Sequence, residues 1–302
     1  MKKFLIKSVI FFTIFILLLY SLNIAYTNTN GYKSLNDVYK FKNVPQNLEL
    51  VNFGNSHGML GLNYDDENYN TFNFALSAQI YYYDYYLLQQ YSKNLKKDCV
   101  VLIPFSHLCL YQNYDSEIAL QEPRYYGILD HTYLNLTPEK YIRYEVCPVL
   151  SAGEHIGYIL KDKANISNSW EYTNSYMPNH EVKNDVKNII NHYYTKPVEN
   201  RAKVYLENII VYCNNNGFKP VLVTIPLTNT YNNEVPPKAY EEFYGYLANV
   251  TEKYNITYID YSNYTEISSN HTLFKDSNHL NLNGRKKFTK ILISDLQNKS
   301  LL

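Results

Sequence analysis

Apolar residues in this chain fall into one long run near the start and several short ones further on. The long run, Phe4 to Ala25, follows Lys2, Lys3 and Lys7 and is long enough to cross a bilayer as a helix. The next stretch, 26–47, is rich in Asn, Lys and Tyr and reads as a juxtamembrane tether. Beyond it come short apolar runs at Leu48–Phe53, Asn70–Phe74, Cys99–Pro104, Phe218–Pro226 and Ile256–Asp260. Runs such as Cys99-Val100-Val101-Leu102-Ile103, apolar at every position, predict strands buried on both faces of a parallel sheet. Helical spacing predicts helices between them. Leu87, Leu88, Tyr91 and Leu95 mark one over Ile80–Leu95, and Val198–Asn214 is another, ended by Asn215-Asn216-Gly217. Lys238–Lys253 is a third, and Phe288, Ile291, Leu292 and Leu296 mark the last over Asn283–Leu296. Strands alternating with helices predict a three-layer α/β/α domain with a parallel, doubly wound sheet over 48–298.

The region 105–194 breaks the alternation. It is Tyr-rich, interrupted by Pro123, Pro138, Pro148 and Pro178, and long for a structureless connection. It is expected to be an inserted lid or subdomain with short helices, or an elaboration with no part in chemistry.

Charge narrows the partners. The 302 residues carry 28 basic and 28 acidic side chains, so no electrostatic footprint for nucleic acid is present. The lysines ahead of the apolar run predict a cytoplasmic N-terminus, a single membrane pass and an extracytoplasmic domain. A cleaved signal peptide is the competing reading, but Asn23 stands two residues before Ala25 where a small residue would be needed, which favours an uncleaved anchor over 4–25. The 34 tyrosines fit either an AT-rich coding sequence or a groove that binds carbohydrate. Cys99, Cys109, Cys147 and Cys213 lack metal-type spacing. Cys99 and Cys213 read as core residues, and a Cys109–Cys147 disulfide stays open. No cofactor is expected.

Two short stretches carry the chemistry. Val51-Asn52-Phe53-Gly54-Asn55-Ser56-His57-Gly58 ends a strand on a Gly-flanked turn bearing Ser56, a place where a hydroxyl can be held exposed. Asp276-Ser277-Asn278-His279 supplies a base and, three residues earlier, a carboxylate to orient it. Both stretches fall where a parallel sheet gathers ligands, beyond the carboxyl ends of its strands. Taken singly, Ser56 can be a helix cap, Asp276 a turn residue and His279 a solvated surface side chain. A metal site in which His57 and His107 approach Asp276 ranks third, since no spacing demands a metal.

Together, and in this order, the blocks resemble the SGNH/GDSL hydrolase superfamily. Its closing motif is similar to Asp276-Ser277-Asn278-His279-Leu280-Asn281-Leu282-Asn283-Gly284, followed by a helix. The resemblance implies a flavodoxin-like SGNH fold over about Leu48 to Leu296. It also implies Ser56 as nucleophile, His279 as general base and Asp276 as its orienting carboxylate. The implied oxyanion hole comprises the backbone N–H groups of Ser56 and Ala78, with Ala78 at the position of a second-block glycine. The third-block asparagine is replaced by Phe105-Ser106-His107, which leaves Ser106 as the expected helper.

The anchor, Gly54-Asn55-Ser56-His57 and Pro104-Phe105-Ser106 resemble the membrane-anchored branch that serves acylation of cell-envelope polymers such as teichoic acid. Arg124-Tyr125-Tyr126 and Cys147-Pro148-Val149-Leu150-Ser151-Ala152-Gly153 fit the same group. That resemblance implies a serine esterase or O-acyltransferase acting on an extracytoplasmic polysaccharide, beside a membrane-bound O-acyltransferase. The rival expectation is a non-catalytic accessory or glycan-binding protein on the same fold.

Overall fold

The computed structural model describes residues 1–35, 37–161 and 173–302. Asn36 of the expected tether and residues 162–172 of the expected insert lie outside the described residues. By internal packing the described residues divide into two units, 1–44 with 122–161 and 45–121 with 173–302.

The second unit is built on a five-stranded, all-parallel sheet of order β2-β1-β3-β4-β5. Its strands are β1 (Leu48–Asn52), β2 (Thr71–Asn73), β3 (Leu95–Pro104), β4 (Lys219–Thr224) and β5 (Thr257–Asp260). The order turns outward from β1 and β3, so the carboxyl ends of these neighbours form the crevice where an open parallel sheet binds its ligands. Leu50, Val100, Leu102, Val221 and Val223 pack on one face against Phe288, Leu292 and Leu296 of the final helix, Leu282–Asn298. Side chains alternate along a strand, so Val101, Ile103 and Leu222 turn to the other face, where the helices Tyr81–Tyr91, Asn200–Asn215 and Pro237–Tyr254 lie. The domain is a three-layer α/β/α sandwich.

The first predicted helix overshoots at its end. It stops at Tyr91, passes through a 3-10 turn at Ser92–Asn94, and Leu95 begins β3. Asp98, at φ +64°, breaks the edge of β3, where the pairing with β1 shifts register. The exposed Lys96-Lys97-Asp98 is therefore strand, although its polarity masks it.

The expected insert is not a single body. Residues 105–121 and the helix Asn179–Tyr193 pack with the sheet, whereas 122–161 packs with the N-terminal helices. In that first unit the apolar helix extends over Lys2–Thr27, long and apolar enough to span a membrane. The stretch expected as a tether forms two short helices, Asn30–Leu35 and Asp37–Lys42. Tyr26 and Tyr32 are buried with Cys147, Val149 and Ala152, and the Asp37 carboxylate pairs with Arg124 at 2.9 Å. All four cysteines are free thiols and buried.

Candidate active site

The chain leaves β1 through Gly54, at φ +106°, a conformation that a side chain would strain. The Gly54 N–H donates to the buried Asp84 carboxylate at 2.9 Å. Asn55 then caps the short helix Ser56–Gly61: its side-chain oxygen accepts the His57 N–H at 3.0 Å and its carbonyl accepts the Met59 N–H at 2.9 Å. Because Asn55 does the capping, Ser56 is the first helical residue and its hydroxyl is left for other work. Asn52 and Asn73, at the ends of β1 and β2, join each other at 2.9 Å, and each donates to the Gly58 carbonyl at 3.2 Å. These contacts clamp the serine helix onto the sheet edge.

The second stretch is a small closed loop. Phe274 and Leu280 bridge its ends, and the Lys275 N–H donates to the His279 carbonyl at 2.8 Å. Inside it Asp276 Oδ1 accepts the backbone N–H groups of Asn278 at 3.0 Å and His279 at 2.8 Å. The same carboxylate faces the His279 ring, with Nδ1 at 3.0 Å from Oδ1 and 2.9 Å from Oδ2. Nδ1 thus serves as the donor, and Nε2 accepts from the Ser56 hydroxyl 2.8 Å away. Burial pushes the Asp276 carboxyl up, but the charge and hydrogen bond of His279, with the two backbone N–H groups, outweigh it and hold the group below its ordinary value. The loop is fixed from outside as well. The Thr228 hydroxyl donates to the Ser277 carbonyl at 2.6 Å, and the Ser277 N–H donates to Asp185 at 3.2 Å. Asn281 caps the final helix by accepting the Gly284 N–H at 3.0 Å.

Ser56, Asp276 and His279 line a cavity of about 290 Å³ together with Asn55, His57, Ala78, Gln112 and Asp185. A larger depression of about 540 Å³ around Asp260–Glu266 contains no paired nucleophile and base. Ala78 reaches the cavity with φ +57°, the conformation that explains a glycine at such a position. Ser106 does not line the cavity: it is buried, with its hydroxyl 3.8 Å from the Cys109 sulfur. Among the described residues, His57 and His107 do not join Asp276 in a set that could hold a metal ion. The His57 ring packs edge-on against His279, centroids 4.9 Å apart. Burial, then the neighbouring His279 charge, lowers the His57 pKa to about 3. His107 bonds the Tyr194 hydroxyl, and burial lowers its pKa to about 4.

Sequence reasoning missed Asp84, Gln112 and Asp185. Asp185, Ile189 and Tyr193 all face the cavity from the helix Asn179–Tyr193. Their spacing of four is the one signal the sequence held for them.

No family model and no curated protein sequence matches the chain. Among solved structures it is similar to a candidate acylhydrolase from Bacteroides fragilis, at 13% identity and TM-score 0.42, over 88% of this chain and 95% of that one. It is also similar to TesA, at 12% identity and TM-score 0.41, over 84% and 99%. A third is the esterase EstA from Pseudoalteromonas sp., at 11% and 0.40, over 83% and 97%. Identities and TM-scores this low leave the chemistry to the geometry of the site.

Proposed function

We propose that this protein is a membrane-anchored, outward-facing serine esterase or O-acyltransferase that works on acyl groups of a cell-envelope glycan. The observation that carries the reading is the unbroken chain from Ser56 Oγ to His279 Nε2 at 2.8 Å and from His279 Nδ1 to Asp276 at 2.9 Å, opening on a cavity. A serine hydroxyl becomes nucleophilic when a base removes its proton as it attacks. Here His279 takes that proton through Nε2, and Asp276 balances the imidazolium that forms. Attack on an ester carbonyl joins Ser56 Oγ to carbon and moves the π pair onto oxygen. The backbone N–H groups of Ser56 and Ala78, neither of which donates to another described group, are the donors for that charge. Collapse expels the alcohol, protonated by His279, and leaves an acyl-Ser56. Water then gives hydrolysis and a sugar hydroxyl gives transfer.

A cavity of about 290 Å³, with polar groups beside Leu108 and Ile189, has room for a short acyl group on a hydroxyl-bearing acceptor rather than for a long fatty chain. The N-terminal helix supports a place at the membrane, where a membrane-bound O-acyltransferase is the partner that would supply or receive the acyl group. The test is labelling of the detergent-solubilised full chain with a fluorophosphonate. Labelling is expected in the wild type and lost in both Ser56→Ala and His279→Ala with folding retained. Equal labelling in either variant overturns the triad. No labelling of folded wild type favours a non-catalytic accessory protein.

A further inference from the structure

The first unit carries an apolar face that the serine site does not use. Ile142, Val146, Leu150 and Ile156 are large aliphatic residues, each 43–55% exposed, gathered in one short segment. The sheet unit, though larger, exposes only Leu120, Val204 and Val211 of this kind among the described residues. Single exposed aliphatics are ordinary, but a cluster of them marks a surface that meets something other than water. Ile142, Val146 and Leu150 recur at every fourth position through the helical turns Ile142–Val146 and Pro148–Ser151. Their neighbours Cys147, Val149 and Ala152 turn the other way, onto Tyr26 and Tyr32, with Leu19 packed alongside. One side of the segment thus covers the end of the helix Lys2–Thr27, and the other side is left bare.

Depth tells what covers the bare side. The Val149 N–H donates to the Asn23 side chain at 3.1 Å, which holds the segment beside that residue. Asn23 stands sixteen residues after Lys7, the last charge before it, or about 24 Å along a helix at 1.5 Å per residue. The hydrocarbon layer of a bilayer is about 30 Å thick. With Lys7 at one boundary, Asn23 and Val149 lie just inside the other. We propose that residues 142–156 are a second membrane contact, seating Ile142, Val146, Leu150 and Ile156 among the acyl chains at the rim of the bilayer that the helix crosses. The inference rests on the reading of Lys2–Thr27 as a membrane span. Backbone polar groups at such a depth need partners within the protein. The Cys147 N–H donates to the Ile142 carbonyl at 2.8 Å, the Leu150 N–H to Cys147 at 2.9 Å and the Ala152 N–H to Val149 at 3.2 Å. Arg143, exposed among the apolar residues, has a stem long enough to keep its charge at the level of the headgroups. Two contacts fix the tilt of this unit against the bilayer, which one helix alone does not.

The experiment reconstitutes the full chain in phosphatidylcholine vesicles, with Trp170→Phe removing its single tryptophan. Val146→Trp, Leu150→Trp and, as a reference within the span, Leu18→Trp are then made one at a time. Quenching is compared between lipids brominated near the ester end of the acyl chain and near its tip. All three positions are exposed, so the ring has room, and an unshifted thermal midpoint qualifies each variant. Val146→Trp and Leu150→Trp are expected to lose about half their emission or more to bromine near the ester end, and to be shielded from iodide in the water. Leu18→Trp is expected to respond most to bromine near the tip. Emission at Val146→Trp and Leu150→Trp that resists both lipids and yields to iodide leaves the face open for a protein partner and overturns the proposal. Emission that resists bromine and iodide alike means a second copy covers the face, which overturns it too. The two readings fail separately. Quenching of Leu18→Trp without quenching of the other two removes only the second contact. A Leu18→Trp that neither lipid quenches removes the span, and this contact with it.

Discussion

Asp84 is fully buried beneath the turn that presents Ser56, accepting the Gly54 N–H while its second oxygen has no partner among the described residues. Burial pushes its pKa up from 3.8 to about 7, against the pull of the Gly54 and Gln79 hydrogen bonds. A raised folded pKa means the native state holds a proton that the unfolded state has released. Stability from this group is therefore full below pH 4 and lost as pH rises toward 7, by about 4 kcal/mol at most. Asp84→Asn, which still offers an oxygen to Gly54, should flatten that part of the stability curve relative to wild type. Parallel midpoints for the two proteins from pH 4 to pH 7 would show that Asp84 does not titrate there. Ala78 is the second residue under strain. Its left-handed conformation costs a Cβ-bearing residue about 1 kcal/mol. Ala78→Gly is expected to raise the unfolding midpoint and leave fluorophosphonate labelling unchanged, since the N–H stays. A lower midpoint would mean the backbone is not held at positive φ.

At the scale of the element, the serine helix is positioned by a residue with no side chain. A Cβ at Gly58 would stand 2.5 Å from the Phe53 carbonyl oxygen and 3.0 Å from the Ala75 Cβ. Neither neighbour is a flexible side-chain end, so Gly58→Ala must shift the helix and move Ser56 relative to His279. Misplacement of about 1 Å can cost 100-fold in rate, so labelling should slow by at least tenfold even where the variant folds. Labelling at the wild-type rate would show that the helix absorbs the methyl. Elements of this kind were legible in the sequence because their signals are local. Gly54-Asn55-Ser56 turns within a few residues, and Asp276 and His279 meet because the aspartate caps the turn that carries the histidine. What could not be read depends on distant contacts. Asp185 meets the Ser277 N–H across 92 positions, and Ser106, adjacent to the right strand, turns toward Cys109 instead of the cavity. Asn55 rather than Ser56 caps the serine helix, a choice decided by side-chain direction.

For the whole molecule, alternation of strands and helices was enough to give the sheet and its layers, but not the division of the middle region. Residues 122–161 join the N-terminal helices because Tyr26 and Tyr32 need apolar cover and Cys147, Val149 and Ala152 supply it, a pairing that no local period announces. The end of the apolar helix is thus part of a packed core as well as a candidate span. Leu19 lies against that cluster, and Asn23 accepts the Val149 N–H at 3.1 Å. Removing residues 1–27 would strip Leu19, Asn23 and Tyr26 from it and uncover Cys147, which is 8% exposed in the intact chain. The expected outcome is slow maleimide labelling of Cys147 in the detergent-solubilised full chain and labelling at least tenfold faster after the deletion, with Cys147→Ser identifying the signal. Every described residue lining the Ser56 cavity belongs to 45–121 or 173–302, so fluorophosphonate labelling should persist in the shortened chain. Protection of Cys147 that survives the deletion would mean the helix contributes only a membrane span, while loss of Ser56 labelling would mean that the sheet unit depends on the residues removed.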